Sequence, residues 1–349
     1  MPMTERNLPV NNQRRPLAAF GVSEGFHAPL PWSTGSVPLM LAPMQGLTNR
    51  ALRALFIEWV RPDVVFTEFM RVNPVAAVRK LSAGDLAEAS AAEGGVPLVV
   101  QLIGHGKDAL VSAALAAQAS GAVHLNLNLG CPYGRMSTGL TGGGMLKRPG
   151  ELAEIIPALR QAITGTFSVK LRSGYDDPEQ VFTLLPLFES SSVDFLVLHP
   201  RTVVQEYTGS ADHAVTSAVV SQTRLPVIAN GDIRTAADGV RVLRETGAAG
   251  LMLGRGAIAD PLLFERLRCR AAAEPDRGER AAVLQRYLRN LLSRYGELFC
   301  GEAQVLGKIK AVLTTMDDPD FENVLKRLKK SRSIHAVTCI LDEIGLSDG

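Results

Sequence analysis

Eight short apolar runs rich in β-branched residues recur along the chain, most of them followed by a longer segment with helical spacing. The runs lie at 37–42 (VPLMLA), 64–67 (VVFT), 98–102 (LVVQL), 123–127 (VHLNL), 168–171 (SVKL), 195–198 (FLVL), 226–229 (PVIA) and 250–253 (GLML). Segments rich in Ala, Leu, Glu and Arg stand between them, as at 110–120, 151–162 and 236–246. Strands that alternate with helices call for a parallel sheet, because the crossover must return the chain before the next parallel strand can start. Eight such units in succession fit a (β/α)8 TIM barrel. An open doubly wound sheet is the alternative.

The pattern changes after Pro275. From there the chain shows only helical spacing, at 281–295, 302–315 and 321–329. The expected organisation is therefore a loosely ordered extension over 1–35, a barrel over 36–274 and a smaller all-helical domain over 275–349. A chain of 349 residues with 46% hydrophobic and 21% charged residues has material for one large core and a second, smaller one. The helical part holds the densest basic run, Lys326-Arg327-Leu328-Lys329-Lys330-Ser331-Arg332. It reads equally as a solvated helix face and as a phosphate-contact patch. The net charge of +2 neither demands nor excludes a nucleic acid.

The four cysteines, Cys131, Cys269, Cys300 and Cys339, form no CxxC pair. Neither a metal cluster nor a disulfide framework is expected, and a reducing cytoplasm is the default location. No run of about 18 apolar residues appears, so no membrane span is expected. A monomer is the expected assembly.

In a barrel the chemistry gathers at the C-terminal ends of the strands, and polar residues fall there repeatedly. They are Pro43-Met44-Gln45-Gly46, Thr67-Glu68, Gln101, Asn126 and Asn128, Lys170 and Arg172, His199, Asn230-Gly231-Asp232 and Gly254-Arg255-Gly256. The glycine turns after strands seven and eight stand where many barrels bind a phosphate through backbone N–H groups, and Arg255 could add a charged fork. Such a ligand would leave Gln101, Lys170 and His199 facing its ring system. Cys131 follows an Asn-rich strand and precedes Pro132 and a glycine-bearing stretch (Gly139, Gly142, Gly143, Gly144). It reads as an acid on a mobile loop over the mouth, or as a small buried cysteine.

Taken in order, LAPMQG (41–46), TEF (67–69), VQL (100–102), NLGCP (128–132), SVKLR (168–172), HPRT (199–202), IANGD (228–232) and MLGRG (252–256) resemble the motifs of the tRNA-dihydrouridine synthases. TEF, together with GKIK at 307–310, leans toward the bacterial C-type branch. The resemblance spans about 37–345. It departs at Asn126, where the family usually has Asp, and at Tyr133-Gly134-Arg135, where lysine is common. It also departs at Pro200, and near Asp212-His213 an expected tryptophan is absent.

The resemblance implies an FMN cofactor, NADPH (or NADH) as reductant, and reduction of the uracil C5–C6 double bond in tRNA. It implies that Pro43, Met44, Gln45, Gln101, Lys170, His199, Asn230, Gly231, Asp232, Gly254 and Arg255 hold FMN. Asn128, Arg172, Arg135, Lys308 and Lys310 would meet the RNA, and Cys131 would be the acid. A thiol of ordinary acidity, with pKa about 8.5, is protonated at neutral pH and can donate to C5 after hydride reaches C6. A flavin enzyme acting on a small pyrimidine or enone would share the barrel without needing the basic helical part. A non-catalytic RNA-binding relative would need neither Cys131 nor Lys170.

Overall fold

The computed structural model describes residues 29–75, 81–89, 94–132 and 140–344. Nine strands form one parallel sheet: β1 (Leu39–Leu41), β2 (Val64–Phe66), β3 (Met70–Arg71), β4 (Leu98–Ile103), β5 (His124–Leu129), β6 (Thr166–Arg172), β7 (Phe195–His199), β8 (Val227–Asn230) and β9 (Gly250–Leu253). β1 pairs with both β2 and β9, and β2 pairs with β4, so the sheet closes on itself. The expected barrel is present, and the open sheet is not.

The ninth strand is a difference from the eight expected runs. β3 continues the stave that β2 begins, pairing Met70 with Leu102 of β4. Between them Thr67 holds the ladder partly by its side chain: its N–H donates to Val99 O at 3.0 Å, and its Oγ1 accepts from Gln101 N at 3.1 Å. A hydroxyl standing in for a backbone carbonyl lets Glu68 and Phe69 leave the sheet before pairing resumes.

Strand parity sorts the two faces. On β7, Phe195 and Val197 join the barrel interior with Met40, Ala42, Val64, Phe66, Val99, Ile228 and Met252. Leu196 and Leu198 instead pack outward against the helices. Burial on both faces explains why the strands read as continuous apolar runs. Of the extension over 1–35, only 29–35 lies among the described residues. Leu30 and Trp32 pack against the interior cluster, Trp32 meeting Phe195 edge-on at 4.9 Å.

The helices Arg277–Leu298, Glu302–Leu313, Glu322–Lys330 and Ile334–Ile344 make up the C-terminal part. Leu284, Tyr287, Leu288, Leu291 and Tyr295 recur at helical spacing along the first of these. They meet Leu52, Phe56 and Phe264 of the barrel in one continuous cluster. The Tyr287 ring stands 6.3 Å from that of Phe56 and 6.2 Å from that of Trp59. Removing large aromatic rings from water at about 25 cal/mol per Å² makes this junction a substantial part of the core. Among the described residues no helix is long and apolar enough to cross a membrane.

Candidate active site

The parity that buries Phe195 and Val197 also turns the polar residues of neighbouring strands inward. Gln101 pairs in register with Asn126, Asn126 with Ser168, Asn128 with Lys170, and Arg172 with His199. The lowest of these layers is closed by side chains. Gln101 Nε2 donates to Asn126 Oδ1, Asn126 Nδ2 donates to Ser168 Oγ, and Asn128 Nδ2 donates to Gln101 Oε1, each at 2.8 Å. Such a network is tolerated in a core because every member has a partner.

Above this layer opens a cavity of about 530 Å³. Pro43, Met44, Gln45, Asn128, Cys131, Lys170, Arg172, His199, Asn230, Gly231, Asp232, Gly254 and Arg255 all line it. Gln101 does not. It lies fully buried beneath the floor and acts by orienting Asn128. Lys308 and Lys310 sit half-buried on helix Glu302–Leu313, away from the lining. Arg135 lies outside the described residues, as do Tyr133 and Gly139.

Asn128 Oδ1 accepts from both Gly130 N (3.0 Å) and Cys131 N (2.9 Å), so one side chain fixes the turn that carries the thiol. The glycines beyond it are packed: Gly142–Lys147 is a 3-10 turn, and Gly143 N donates to Cys131 O at 3.1 Å. A Cβ on Gly143 would come within 2.5 Å of Val203. The expected mobile stretch is thus, at 142–144, a close-packed support for Cys131.

Cations concentrate on β6 and the strands that follow it, beginning beside the Cys131 turn. Lys170 Nζ donates to Asn230 Oδ1 at 3.0 Å. Burial, reinforced by Arg172 and opposed by Cys131, pushes the Lys170 ammonium down to about 8. Burial and the charges of Lys170, Arg172, Arg201 and Arg255 hold His199 well below the usual imidazole range. His199 is therefore neutral at neutral pH. Its Nδ1 accepts from Arg201 N at 3.3 Å, which leaves Nε2 as the N–H.

Two lining residues also have protein partners that the sequence did not show. Arg172, read as a contact to the base, donates to three backbone carbonyls: Gly130 O (2.9 Å), Thr202 O (2.8 Å) and Glu206 O (2.6 Å). It ties the loops after β5 and β7 together. Asp232 lines the cavity, but its carboxylate is engaged by Arg201 at 3.1 and 2.6 Å, by Ala211 N at 2.9 Å and by Arg255 at 3.4 Å. Burial would raise its pKa, but the Arg201 fork, Ala211 N–H and Arg255 outweigh that and hold it low. Asp232 organises cations.

Several lining residues went unread in the sequence: Tyr207, Arg234, Thr314 and Thr315. Tyr207 lies between two guanidinium groups, 4.5 Å from Arg255 and 5.3 Å from Arg172. Nothing in its neighbourhood marks it, since the loop after β7 has no periodicity. Phe69 also lines the cavity, and the TEF motif was its signal.

The donor set suits a planar ligand with an anionic arm. Met44, Leu47 and Met252 offer apolar surface, and Arg234 and Arg255 stand beside the Gly231 and Gly254 turns. Gly231 has φ of +125°, and a Cβ there would lie 3.0 Å from Ala211 and 3.3 Å from His199 Nε2. Only glycine leaves that turn open to a ligand. Among the described residues no group of three or more His, Cys, Asp or Glu side chains is placed to hold a metal ion.

The family model for dihydrouridine synthase (Dus) matches residues 40–343. A probable tRNA-dihydrouridine synthase of Rhodobacter capsulatus is 33% identical over 64% of this chain and 68% of its own length. The tRNA-dihydrouridine(16) synthase of Haemophilus influenzae is 32% identical over 76% of this chain and 87% of its own. The tRNA-dihydrouridine synthase B of Vibrio cholerae is 31% identical over 66% and 70%. B synthases and position-16 synthases thus match at nearly equal identity, so identity does not single out the C-type branch.

Proposed function

The chain belongs to the dihydrouridine synthase family, and from that premise we propose that it reduces the C5–C6 double bond of uridine in tRNA, with Cys131 as proton donor. The observation that supports this most is a thiol held at the rim of a cavity that Lys170, neutral His199 and the glycine turns also line. FMN bound there would supply the hydride for C6, with NADPH (or NADH) as the source of electrons.

Residues 43–45, 230–232 and 254–255 would hold the cofactor, with Arg255 and Arg234 toward its phosphate. Lys170 would stabilise negative charge at the ring system from a fixed position, which needs no reorganisation during reaction. The uridine must leave its stack to enter the cavity. As C6 gains hydrogen, electron density moves to C5 and the adjacent carbonyl, and the Cys131 S–H bond breaks to form the C5–H bond. The thiolate then recovers its proton from water. The helical part, 275–349, would contact the folded RNA through phosphates, with Lys310 and the exposed Lys326, Lys330 and Arg332 as candidate contacts.

Mapping dihydrouridine by mass spectrometry in RNA from cells with and without the gene tests the reading. The expected result is loss at a tRNA position, restored by the wild-type gene. Cys131→Ala should fail to restore it, because removing a positioned general acid lowers rate by about 10²–10⁴-fold. Unchanged dihydrouridine at every position would favour a small-molecule substrate instead.

A further inference from the structure

The cavity wall at β1 ends in a turn, Pro43 to Gly46, and that turn is held from outside the barrel. Gly46 adopts φ of +80°, with open space where a side chain would stand, so glycine is needed there for its conformation. Gly46 meets a partner on each side, through the peptide that precedes it and the peptide that follows it. Its N–H stands toward the carboxyl of Glu68, in the break between β2 and β3, and favours the charge there. Its carbonyl accepts from Lys308 Nζ at 3.2 Å. Lys308 belongs to helix Glu302–Leu313, and its ammonium also lies 5.1 Å from the centre of the Phe299 ring. The helix is anchored by Val305, Ile309 and Val312, buried in the cluster that includes Leu52 and Phe56 of the barrel.

The carboxyl of Glu68 is held at a cost. Its Oε1 is buried without a partner. Burial raises its pKa, while the Gly46 N–H, Lys308 and Arg53 favour the charge and Glu88 disfavours it. A half-satisfied buried carboxyl is destabilising on its own. Two of the groups that favour its charge, the Gly46 N–H and Lys308, belong to the turn and to the helix that docks on it.

We infer that Glu68 and Lys308 are positioning residues that clamp Gly46 between them, one at its N–H and one at its carbonyl, so that docking of helix Glu302–Leu313 sets the β1 wall of the cavity. Lys308 then serves the site from within, by tying the helical part to the turn, and is not a phosphate contact. The effect on flavin affinity rests on the function proposed above. The clamp does not.

Amide hydrogen exchange on the full chain measures the clamp directly. In the wild type the Gly46 amide should be protected. Glu68→Ala and Lys308→Met should each speed its exchange on the order of tenfold, the scale of one charge-assisted hydrogen bond. The double variant should add little to either single one, and Lys308→Arg should restore protection. Glu68→Gln, which keeps an acceptor for the N–H, covers the case in which the alanine variant does not fold. Exchange at Gly46 that is already fast in the wild type, or that ignores both substitutions, overturns the clamp whether or not flavin binds. Titration with FMN, without RNA, reads the consequence: a severalfold weaker Kd is expected in Lys308→Met. Equal affinity in wild type and variant overturns the link to the cavity. A wild-type protein that binds no FMN rejects the functional reading and leaves the exchange result to decide the clamp.

Discussion

The two halves of the barrel interior are made by the same strands at the same parity, yet they are opposite materials. The lower half, from Met40 and Val64 to Phe195 and Trp32, is apolar and close-packed. The upper half, from Gln101 and Asn126 to Lys170 and His199, is a hydrogen-bonded polar network beneath a cavity. Two residues further along a strand exchange Val197 for His199, or Val99 for Gln101. The lower half holds the barrel closed through burial and dispersion. The upper half gives up some of that to keep buried cations and neutral donors in place, which is the ordinary cost of a binding site.

If that division is right, the largest stability loss belongs to the lower half. Phe195→Ala should destabilise by about 3–5 kcal/mol, the usual range for a fully buried aromatic. Denaturant unfolding of the variant checks this, and a loss below about 1 kcal/mol would mean the lower half is not the structural part.

Asn128→Ala should do the reverse. It removes the acceptor for Gly130 and Cys131 N–H groups and frees Gln101 Oε1. Activity should fall by roughly 10–100-fold, because the thiol loses its fixed turn, with a smaller change in stability. Assaying turnover and unfolding on the same preparation separates the two effects.

Lys170 gives the smallest and finest test. Its pKa is pushed down to about 8 from the usual lysine value near 10.4. The unfolded chain therefore binds more protons than the folded one between those values, and stability should rise with pH across that window. Lys170→Met should remove the rise. Affinity for an anionic ligand should fall as pH passes about 8, when the ammonium is lost. Measuring FMN affinity against pH in a Cys131→Ala background excludes titration of the thiol. A flat profile would show that Lys170 does not face the anion.

Much of the site was legible in advance because strand parity is periodic. Once β5 and β6 are recognised, Asn126, Asn128, Lys170 and Arg172 must share the inward face with the ends of β7 and β8. The glycine turn at 231 was legible because few residues besides glycine take a φ of +125°. Depth was not legible: Gln101 shares the inward parity but sits below the floor. Nor was the use of each charge. Asp232 and Arg172 line the cavity as expected of ligand contacts, and only the fold shows that the first also engages arginines and the second also ties loops. Tyr207 and the ninth strand were invisible because each depends on one side chain meeting a distant element.

The order of strands and helices, the inward face of each strand and the turns that require glycine are local properties, set by residue spacing and backbone sterics along the chain. Which polar groups meet is another matter. Lys308 bonds to Gly46 O across 262 positions, and Arg201 bonds to Asp232 across 31. Pairings at such separations follow from closure of the barrel and docking of the helices on it. A charge read along the chain carries no record of the partner that the fold brings to it.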